Sequence, residues 1–209
     1  MPEPSVRVGV DLDGVLAMLA IKMREIAEGV FEFKGITETD YLMGMSVQQV
    51  QKVLRFMINR DMIYDLQRHR ETRAPLGDWL RRGHQVVYLT GRGADRFTSM
   101  FETSVIHDLW KQTYQWLDKY GYPDAYEDNI VFEADKLKFC RESGIDVLID
   151  DNPALVQPNG SCVQSTSKLL VVLRDQPWNR GVEYPCRIMR DLAEVERFCP
   201  ALAEEAATK

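Results

Sequence analysis

Apolar side chains alternate with other residues near the start of the chain, over the stretch VRVGV at residues 6–10. This period of two predicts a β-strand with one buried face. The next residues, DLDG, place Asp11 and Asp13 at the end of the strand, and Gly14 allows a sharp turn. Two carboxylates are thus predicted in a strand-to-helix loop, where parallel α/β sheets bind ligands. A purely structural role as turn or N-cap residues is the alternative for both.

A helical pattern follows this first strand. Apolar residues recur three and four positions apart between residues 16 and 31, which predicts an amphipathic helix. A second helix is predicted to begin after Ser46, because Gln49 three residues later completes a capping box. No strand is evident between residues 18 and 70. We therefore predict a small helical cap over residues 18–70, inserted after the first strand.

Regular alternation of strands and helices begins at residue 73. A short helix through APLGDWLRRG precedes the strand QVVYL, and a long helix from about residue 95 to residue 119 precedes the strand IVF. The runs DVLI and KLLVVL, at residues 146–149 and 168–173, are nearly continuous apolar stretches, as in parallel strands covered on both faces.

These elements predict an α/β protein with a Rossmann-like three-layer core. Its parallel sheet would have about five strands, and the helical cap would be inserted after the first of them. The core domain is then discontinuous in sequence and comprises residues 1–17 and 71–209.

Composition and charge narrow the classes of function. The 209-residue chain is 45% hydrophobic and 28% charged, as is ordinary for a globular protein. Its formal net charge of -6 argues against nucleic acid and anionic membranes as partners, because both require a basic surface. The N-terminus lacks the apolar core of a signal peptide, and no apolar run is long enough to span a bilayer. We expect a cytoplasmic protein.

The cysteines and the aromatic residues of the long helix suggest no chemistry of their own. Cys140, Cys162, Cys186 and Cys199 form no CxxC pair, and no histidine lies at ligand spacing. We therefore expect no zinc site and a reducing compartment. The aromatic side chains between residues 110 and 120 are expected to pack in the core, and any that stay exposed would favour a homodimer.

Polar residues follow four of the predicted strands. Because the carboxyl ends of parallel strands share one edge of a sheet, these residues are expected to meet in one crevice. Several carboxylates in such a crevice need a cation, since like charges otherwise keep some of them protonated. Oxygen ligands suit Mg²⁺, which binds phosphate oxygens beside one or two carboxylates. The residues are Asp11, Asp13, Thr90, Gly91, Arg92, Asp135, Lys136, Asp150, Asp151 and Asn152.

The four carboxylates most suited to phosphoryl transfer follow the first and fourth of these strands. Asp11, at the strand end, is the candidate nucleophile and would form an aspartyl-phosphate. Asp13, two residues further, is the candidate general acid and base. Asp150 is the candidate metal ligand, and Asp151 would hold metal-bound water. This spacing predicts a hydrolysis that proceeds in two displacements.

Thr90, Gly91, Arg92 and a lysine are the candidates for binding phosphate or substrate. The Thr90 hydroxyl and backbone N–H groups near Gly91 would donate to phosphate oxygens, and the lysine would neutralise the charge that builds up. Lys136 is favoured over Lys138, because Lys136 begins its helix and Lys138 would point roughly 200° around it. Arg92 either contacts the phosphate or substrate, or pairs with a carboxylate, and the sequence leaves both open.

The motifs DLDGV and LTGR, and a lysine before GIDVLIDDNP, resemble those of the haloacid dehalogenase superfamily of phosphohydrolases. Their order and the helical insertion after the first motif match the superfamily across residues 6–153. The resemblance implies a Mg²⁺-dependent phosphomonoesterase in which Asp11 is the nucleophile and Asp13 the acid and base. It places Thr90 and the lysine on the phosphate. The implied metal ligands are Asp11, Asp13 through its backbone carbonyl, Asp150 and Asp151.

Three further stretches are similar to the cytosolic deoxyribonucleotidase branch of that superfamily: YQWLDKYGYP, DKLKFCRESGIDVLIDDNP and LRDQPWNRG. The similarity implies a 5'-nucleotidase acting on (deoxy)nucleoside monophosphates. Within residues 18–70, where such enzymes recognise the leaving group, no segment aligns. Trp178, Asn179 and Arg180 either reach the rim of the site or are only loop residues.

Other functions remain open at this stage. The same chemistry serves a phosphatase of a sugar or another metabolite phosphate, or of a nucleic-acid 3' end. A catalytically silent phosphate-binding protein is a further alternative. A receiver-like signalling module is disfavoured, because the DD motif comes late in the chain and a large insertion follows the first motif.

Overall fold

The protein is described by a computed structural model that covers residues 5–40, 42–95, 98, 100–155, 169–180 and 187–205. Its strands are β1 (Arg7–Val10), β2 (Gln85–Thr90), β3 (Ile130–Phe132), β4 (Val147–Asp150), β5 (Leu170–Arg174) and β6 (Arg187–Met189). They form one sheet in the order β3-β2-β1-β4-β5-β6, and every neighbouring pair is parallel. This is the strand order of the Rossmann-like doubly wound fold, so the predicted fold class is confirmed.

Five α-helices accompany the sheet in the described residues. They are α1 (Leu19–Gly29), α2 (Val47–Ile58), α3 (Arg73–Arg81), α4 (Thr103–Lys119) and α5 (Lys136–Glu142). The predicted capping box begins α2, where the Ser46 hydroxyl accepts the Gln49 N–H and the Gln49 side chain accepts the Ser46 N–H. None of the helices in this part of the chain has the length and apolar character needed to cross a membrane.

In the described part of the chain the sheet has six strands, where the sequence predicted about five. The additional strand, β6, is three residues long and lies at the sheet edge beside β5. It escaped prediction because three residues, with Ile188 exposed and Met189 buried, are too few to show a period of two. The fifth strand begins at Leu170 rather than at residue 168, which lies outside the described residues.

The long helix α4 begins at Thr103, later than the predicted residue 95. Among the described residues before it, the Asp95 carboxylate accepts hydrogen bonds from both the N–H and the hydroxyl of Thr98, at 2.9 and 2.8 Å. Such local side-chain bonds compete with a helical backbone.

Strand β1 lies in the middle of the sheet, between β2 and β4. Val8 and Val10 are buried on one face, in the large apolar cluster that also contains residues of α1, α2, α3 and α4. On the other face Gly9 lies against Cys140 of α5 and Ile145 just after that helix, since a Cβ at Gly9 would be 3.8 Å from Cys140 Sγ and 3.4 Å from Ile145 Cγ2. The prediction of a single buried face is therefore wrong. The second face is buried too, because the small Gly9 leaves room for α5 to pack on it.

Helices α1 and α2 share their apolar cluster with the sheet. Met23 and Ile26 of α1, and Val50 and Met57 of α2, belong to the same cluster as the buried valines of β1. Polar contacts also join the two parts, since Gln112 Nε2 of α4 donates to the carbonyl of α2 residue Ile58 at 2.8 Å. Both helices of the predicted cap are confirmed, while its separation as a domain over residues 18–70 stays a prediction.

Several cysteine and aromatic side chains pack in the protein interior. Cys140 is buried, Cys199 is half-buried, and both are free thiols; Cys162 and Cys186 lie outside the described residues. Trp116 of α4 is fully buried and donates from Nε1 to the Leu66 carbonyl at 2.7 Å. The long helix thus uses its largest side chain in the core.

The half-buried side chain of His69 gives the fold a measurable pH dependence. Burial, with a contribution from the positive charge of Arg174, lowers the pKa of His69 from 6.5 to about 4. Between these values the unfolded chain binds more protons than the folded one, so the stability falls as the pH drops through this window.

We expect the wild-type protein to lose about 1–2 kcal/mol more free energy of unfolding than His69→Gln between pH 7 and pH 5. Urea unfolding of both proteins at the two pH values measures this difference, and the carboxylates common to both cancel in the comparison. Equal pH dependence in the two proteins would contradict the assignment to His69.

Candidate active site

The end of β1 positions Asp11 beside β4. The Asp11 N–H donates to the Ile149 carbonyl at 2.9 Å, which continues the parallel ladder by one residue. Its carboxylate oxygen Oδ1 accepts the N–H of Leu12 at 2.8 Å, and the side chain is buried. The backbone therefore holds this carboxylate at the carboxyl edge of the sheet.

Gly14 allows the loop after β1 to approach the end of β4 closely. Its φ is +76°, and a Cβ placed there would lie 1.8 Å from Asp151 Oδ2. The loop is closed by a hydrogen bond from the Gly14 N–H to the Ala17 carbonyl at 2.9 Å. Glycine is required here for its backbone conformation and for the missing side chain.

Lys136 connects the two acidic loops. It is the first residue of α5, and its Nζ lies 2.8 Å from Asp11 Oδ1 and 2.8 Å from Asp150 Oδ2. Lys138 has a side chain that is 64% exposed and pairs with Glu142 at 4.0 Å. The structure thus brings Lys136 into the site and leaves Lys138 at the surface. Lys138 comes two residues later in the helix, so its side chain points in a different direction.

Asp150 and Asp151 complete a cluster of buried carboxylates. Asp150 ends β4, and its Oδ1 accepts the N–H groups of Asp151 and Asn152, both at 2.8 Å. Asp11, Asp150 and Asp151 each offer an oxygen within 4.8 Å of the others. When ionised they carry three negative charges against the single ammonium of Lys136, so a divalent cation would balance the cluster.

The pKa values in this cluster show how strongly it disfavours its own negative charge. Burial raises the pKa of Asp11 to about 8; Lys136 opposes this shift, while Asp150 and Asp13 add to it. Burial, Asp150 and Asp11 likewise raise the pKa of Asp151. Burial disfavours the charged Lys136, but Asp11 and Asp150 outweigh this and raise its pKa overall. A bound cation would relieve the repulsion among the carboxylates.

Thr90, Gly91 and Arg92 lie at the end of β2, next to this cluster. Thr90 is fully buried and its hydroxyl accepts the Arg92 N–H at 3.3 Å, while the Gly91 carbonyl accepts the Ala94 N–H at 3.0 Å. The Arg92 guanidinium makes two hydrogen bonds to Asp13, at 2.9 Å and 2.6 Å. Of the two alternatives for Arg92, the structure shows pairing with a carboxylate; its contact with phosphate stays a prediction, as do the roles of Thr90 and Gly91.

The segment after β5 supports both acidic loops, which sequence reasoning only partly anticipated. The Asp151 carbonyl accepts hydrogen bonds from Trp178 Nε1 and Asn179 Nδ2, both at 3.1 Å. Gln176 Nε2 donates to the Gly14 carbonyl at 2.6 Å. Arg180 instead pairs with Asp175 at 3.1 Å, with its own side chain largely exposed. The location of these residues after a fifth parallel strand was the signal that could have revealed them.

A cavity of about 130 Å³ opens beside Asp13, Gly14 and Asp151. Its far wall is made by the helical insertion, and its lining is predominantly apolar. The site therefore offers a polar floor of carboxylates and an apolar wall above it. The lining side chains from the insertion are Leu19, Ala20, Met23, Leu42, Met43, Val50 and Leu54.

This fold and the order of these groups define a phosphohydrolase of the haloacid dehalogenase superfamily. The defining features are two Asp residues after the first strand, a threonine at the end of the second, a lysine at a helix start and two Asp residues at the end of β4. The particular family follows from the sequence itself. The chain belongs to the family described as 5' nucleotidase, deoxy (pyrimidine), cytosolic type C protein, whose sequence model matches residues 4–199. It is accordingly a phosphoric monoester hydrolase.

Solved structures share the fold at low sequence identity. The HAD family hydrolase from Deinococcus radiodurans R1 is 14% identical, with a TM-score of 0.55 over 98% of this chain and 99% of that one. The haloacid dehalogenase-like hydrolase from Burkholderia xenovorans LB400 is 13% identical, with a TM-score of 0.55 over 96% and 99%. The hydrolase from Xanthomonas campestris is 14% identical, with a TM-score of 0.51 over 96% of both chains. No curated protein sequence matches significantly.

The variant Gly14→Ala is expected to lose activity far beyond its loss of stability. The new Cβ would displace the Asp151 carboxylate, and a shift of about 1 Å at a reacting centre costs roughly 100-fold in rate. The measurement is kcat/KM for para-nitrophenyl phosphate with divalent cations, alongside thermal unfolding.

Gly144→Ala is the matched control for backbone strain. Gly144 also has a positive φ, +67°, but no atom lies within 4 Å of its added Cβ. Both variants should lose about 1–2 kcal/mol from the left-handed backbone, and only Gly14→Ala should lose activity. Full activity in Gly14→Ala would refute the close approach of the two loops.

Proposed function

We propose that this protein is a Mg²⁺-dependent phosphomonoesterase that hydrolyses (deoxy)nucleoside monophosphates through an aspartyl-phosphate on Asp11. The observation that carries the proposal is the buried Asp11 carboxylate, with Oδ1 at 2.8 Å from Lys136 Nζ and the remaining carboxylates around it. A carboxylate held by backbone and side chain at a fixed position is suited to attack a phosphorus atom.

The reaction proceeds in two displacements. Asp11 attacks phosphorus, the bond from phosphorus to the ester oxygen breaks, and Asp13 gives its proton to the departing alcohol. Asp13 then takes a proton from water, whose oxygen attacks phosphorus and breaks the bond to Asp11. Inorganic phosphate leaves, and both carboxylates return to their starting states. Asp13 suits the proton transfers because it lines the cavity.

Lys136 and the residues at the end of β2 are assigned to the phosphate. The Lys136 ammonium lies beside Asp11 and would neutralise negative charge on the phosphoryl group. The Thr90 hydroxyl and the backbone near Gly91 and Arg92 would donate hydrogen bonds to phosphate oxygens.

Mg²⁺ fits the donor set, because the cluster consists of buried carboxylate oxygens with an excess of negative charge over Lys136. Asp11, Asp150 and the backbone carbonyl of Asp13 would hold it, with Asp151 binding its water. When bound, the ion withdraws charge from the phosphate oxygens and so eases attack by an anionic carboxylate.

A nucleoside as the leaving group is supported by the family match and by the cavity. The family is described as a deoxy (pyrimidine) 5' nucleotidase, and the apolar wall beside Asp13 suits a flat, uncharged ring system. We further propose that residues 18–70 act as the cap that receives this group, and that the protein works in the cytoplasm. No nucleic-acid or membrane partner is proposed.

Asp11→Asn is expected to abolish phosphate release, because an amide cannot act as the nucleophile. Release of inorganic phosphate is measured across nucleoside monophosphates, sugar phosphates and para-nitrophenyl phosphate, with Mg²⁺ and after its removal by a chelator. Nucleoside monophosphates should be preferred and chelation should stop turnover. Full Mg²⁺-dependent hydrolysis by Asp11→Asn would overturn the mechanism, and a preference for sugar phosphates would overturn the substrate assignment.

The two lysines of α5 provide a matched pair of variants. Lys136→Gln is expected to lower kcat/KM by about 100-fold, as for removal of one charge-stabilising donor. Lys138→Gln should stay near wild type, since that side chain is mostly exposed. Thermal unfolding with Mg²⁺ present separates a loss of activity from a loss of folded protein. Equal activity in the two variants would show that the charge of Lys136 is not used.

A further inference from the structure

Arg92 makes an unusually complete set of contacts behind the candidate acid and base. Its Nε and NH2 atoms donate to the two carboxylate oxygens of Asp13, at 2.9 Å and 2.6 Å. The Arg92 side chain is only 5% exposed, whereas that of Asp13 is 24% exposed and lines the cavity. The guanidinium therefore holds the carboxylate from the protein side, while Asp13 remains partly exposed at the cavity.

Helix α4 fixes Arg92 at two further points. Its NH1 donates to Thr113 Oγ1 at 2.9 Å, and its carbonyl accepts a hydrogen bond from Trp110 Nε1 at 3.2 Å. Trp110 and Thr113 are three residues apart and so share one face of the helix. Trp110 also packs closely on Gly93, where a Cβ would be 2.5 Å from its Nε1. Arg92 is thus held in place by two residues of the long helix α4.

We propose that Arg92 is a positioning residue for proton transfer: it orients the Asp13 carboxylate toward the cavity, where the departing alcohol would lie. Thr113 holds Arg92 in place for this purpose. The proposal rests on the phosphomonoesterase function proposed above. It assigns Arg92 to Asp13 instead of to the phosphate.

Geometry supports this role. A carboxylate has about four lone-pair positions, and a bidentate guanidinium uses two of them. The remaining positions stay available for the proton that the alcohol takes up. Since rotation of the Asp13 side chain would break two charge-assisted hydrogen bonds, the pair restricts the carboxylate to one orientation. Correct orientation matters because a general acid works only within hydrogen-bond reach of the leaving oxygen.

The leaving group provides a readout that separates this role from phosphate binding. An alkyl alcohol is a poor leaving group unless it is protonated, whereas para-nitrophenolate departs as a stable anion. The value of kcat/KM reports the steps through departure of the alcohol, and is independent of the later hydrolysis of the aspartyl-phosphate. A residue that acts through the acid therefore affects nucleoside monophosphates much more than para-nitrophenyl phosphate.

The test compares Arg92→Ala, Arg92→Lys and Thr113→Val on both substrates with Mg²⁺ present. For Arg92→Ala we expect kcat/KM to fall about 100-fold on the nucleoside monophosphate and by less than about threefold on para-nitrophenyl phosphate. Arg92→Lys keeps the charge but cannot form the paired hydrogen bonds, so it should rescue little. Thr113→Val should show a smaller loss with the same substrate dependence.

Arg82→Ala controls for the removal of a structural arginine. Arg82 pairs with Glu196 at 2.8 Å and precedes β2, at the opposite edge of the sheet from the site. It should lose stability without any dependence on the leaving group. Thermal unfolding of each variant confirms that folded protein is being compared.

A double-mutant cycle with Asp13→Asn completes the test. Once the acid is removed, Arg92 has nothing left to position, so adding Arg92→Ala to Asp13→Asn should change kcat/KM by less than about twofold. Equal losses on both substrates, or additive losses in the cycle, would overturn the proposal and assign Arg92 to phosphate binding or to folding. Activity of Asp11→Asn on both substrates would instead overturn the proposed function, so the two failures are distinguishable.

Discussion

The ammonium group of Lys136, held between Asp11 and Asp150, allows the carboxyl edge of this sheet to carry so much negative charge. Each of the two carboxylates lies 2.8 Å from the Lys136 nitrogen, and Asp151 follows Asp150, with its backbone carbonyl held by Trp178 Nε1 at 3.1 Å. Removing one member of a buried ion pair typically costs about 3–5 kcal/mol, because the remaining charge is left without a partner. One cation among three buried carboxylates leaves an excess of negative charge when all three are ionised, which suits the cluster to the divalent cation proposed above.

The strand order brings these charged residues to one edge of the sheet, and the loops hold them in place there. β1 lies between β2 and β4, so residues that are far apart in the sequence end at the same edge. The loop after β1 can approach Asp151 only through Gly14, and the segment after β5 supports both loops from the side with Gln176 and Trp178. The site is therefore built from five strand ends, each of which supplies either a reactive group or a support.

The positions of the candidate reactive groups were predictable because strand ends can be located in a sequence. Asp11, Thr90 and Asp150 directly follow or end apolar runs, and helical geometry alone separated Lys136 from Lys138. The bounds of some strands and helices were less predictable. A three-residue edge strand gives no periodic signal, and the Asp95 turn delays α4 by local hydrogen bonds. The roles of these site residues stay predictions until they are measured.

Arg92 shows why partners are harder to predict than positions. Its place after β2 was evident from the sequence, and both phosphate contact and ion pairing suited it. The structure shows the ion pair, and Arg92 is also held by Thr113, a residue in the middle of α4 that the sequence did not single out. That helix also carries Gln112, whose side chain donates to the Ile58 carbonyl of the insertion at 2.8 Å. Adjacent residues of one rigid helix thus fix the guanidinium behind Asp13 and the end of α2. The apolar wall of the cavity and the candidate acid Asp13 are consequently held by the same element.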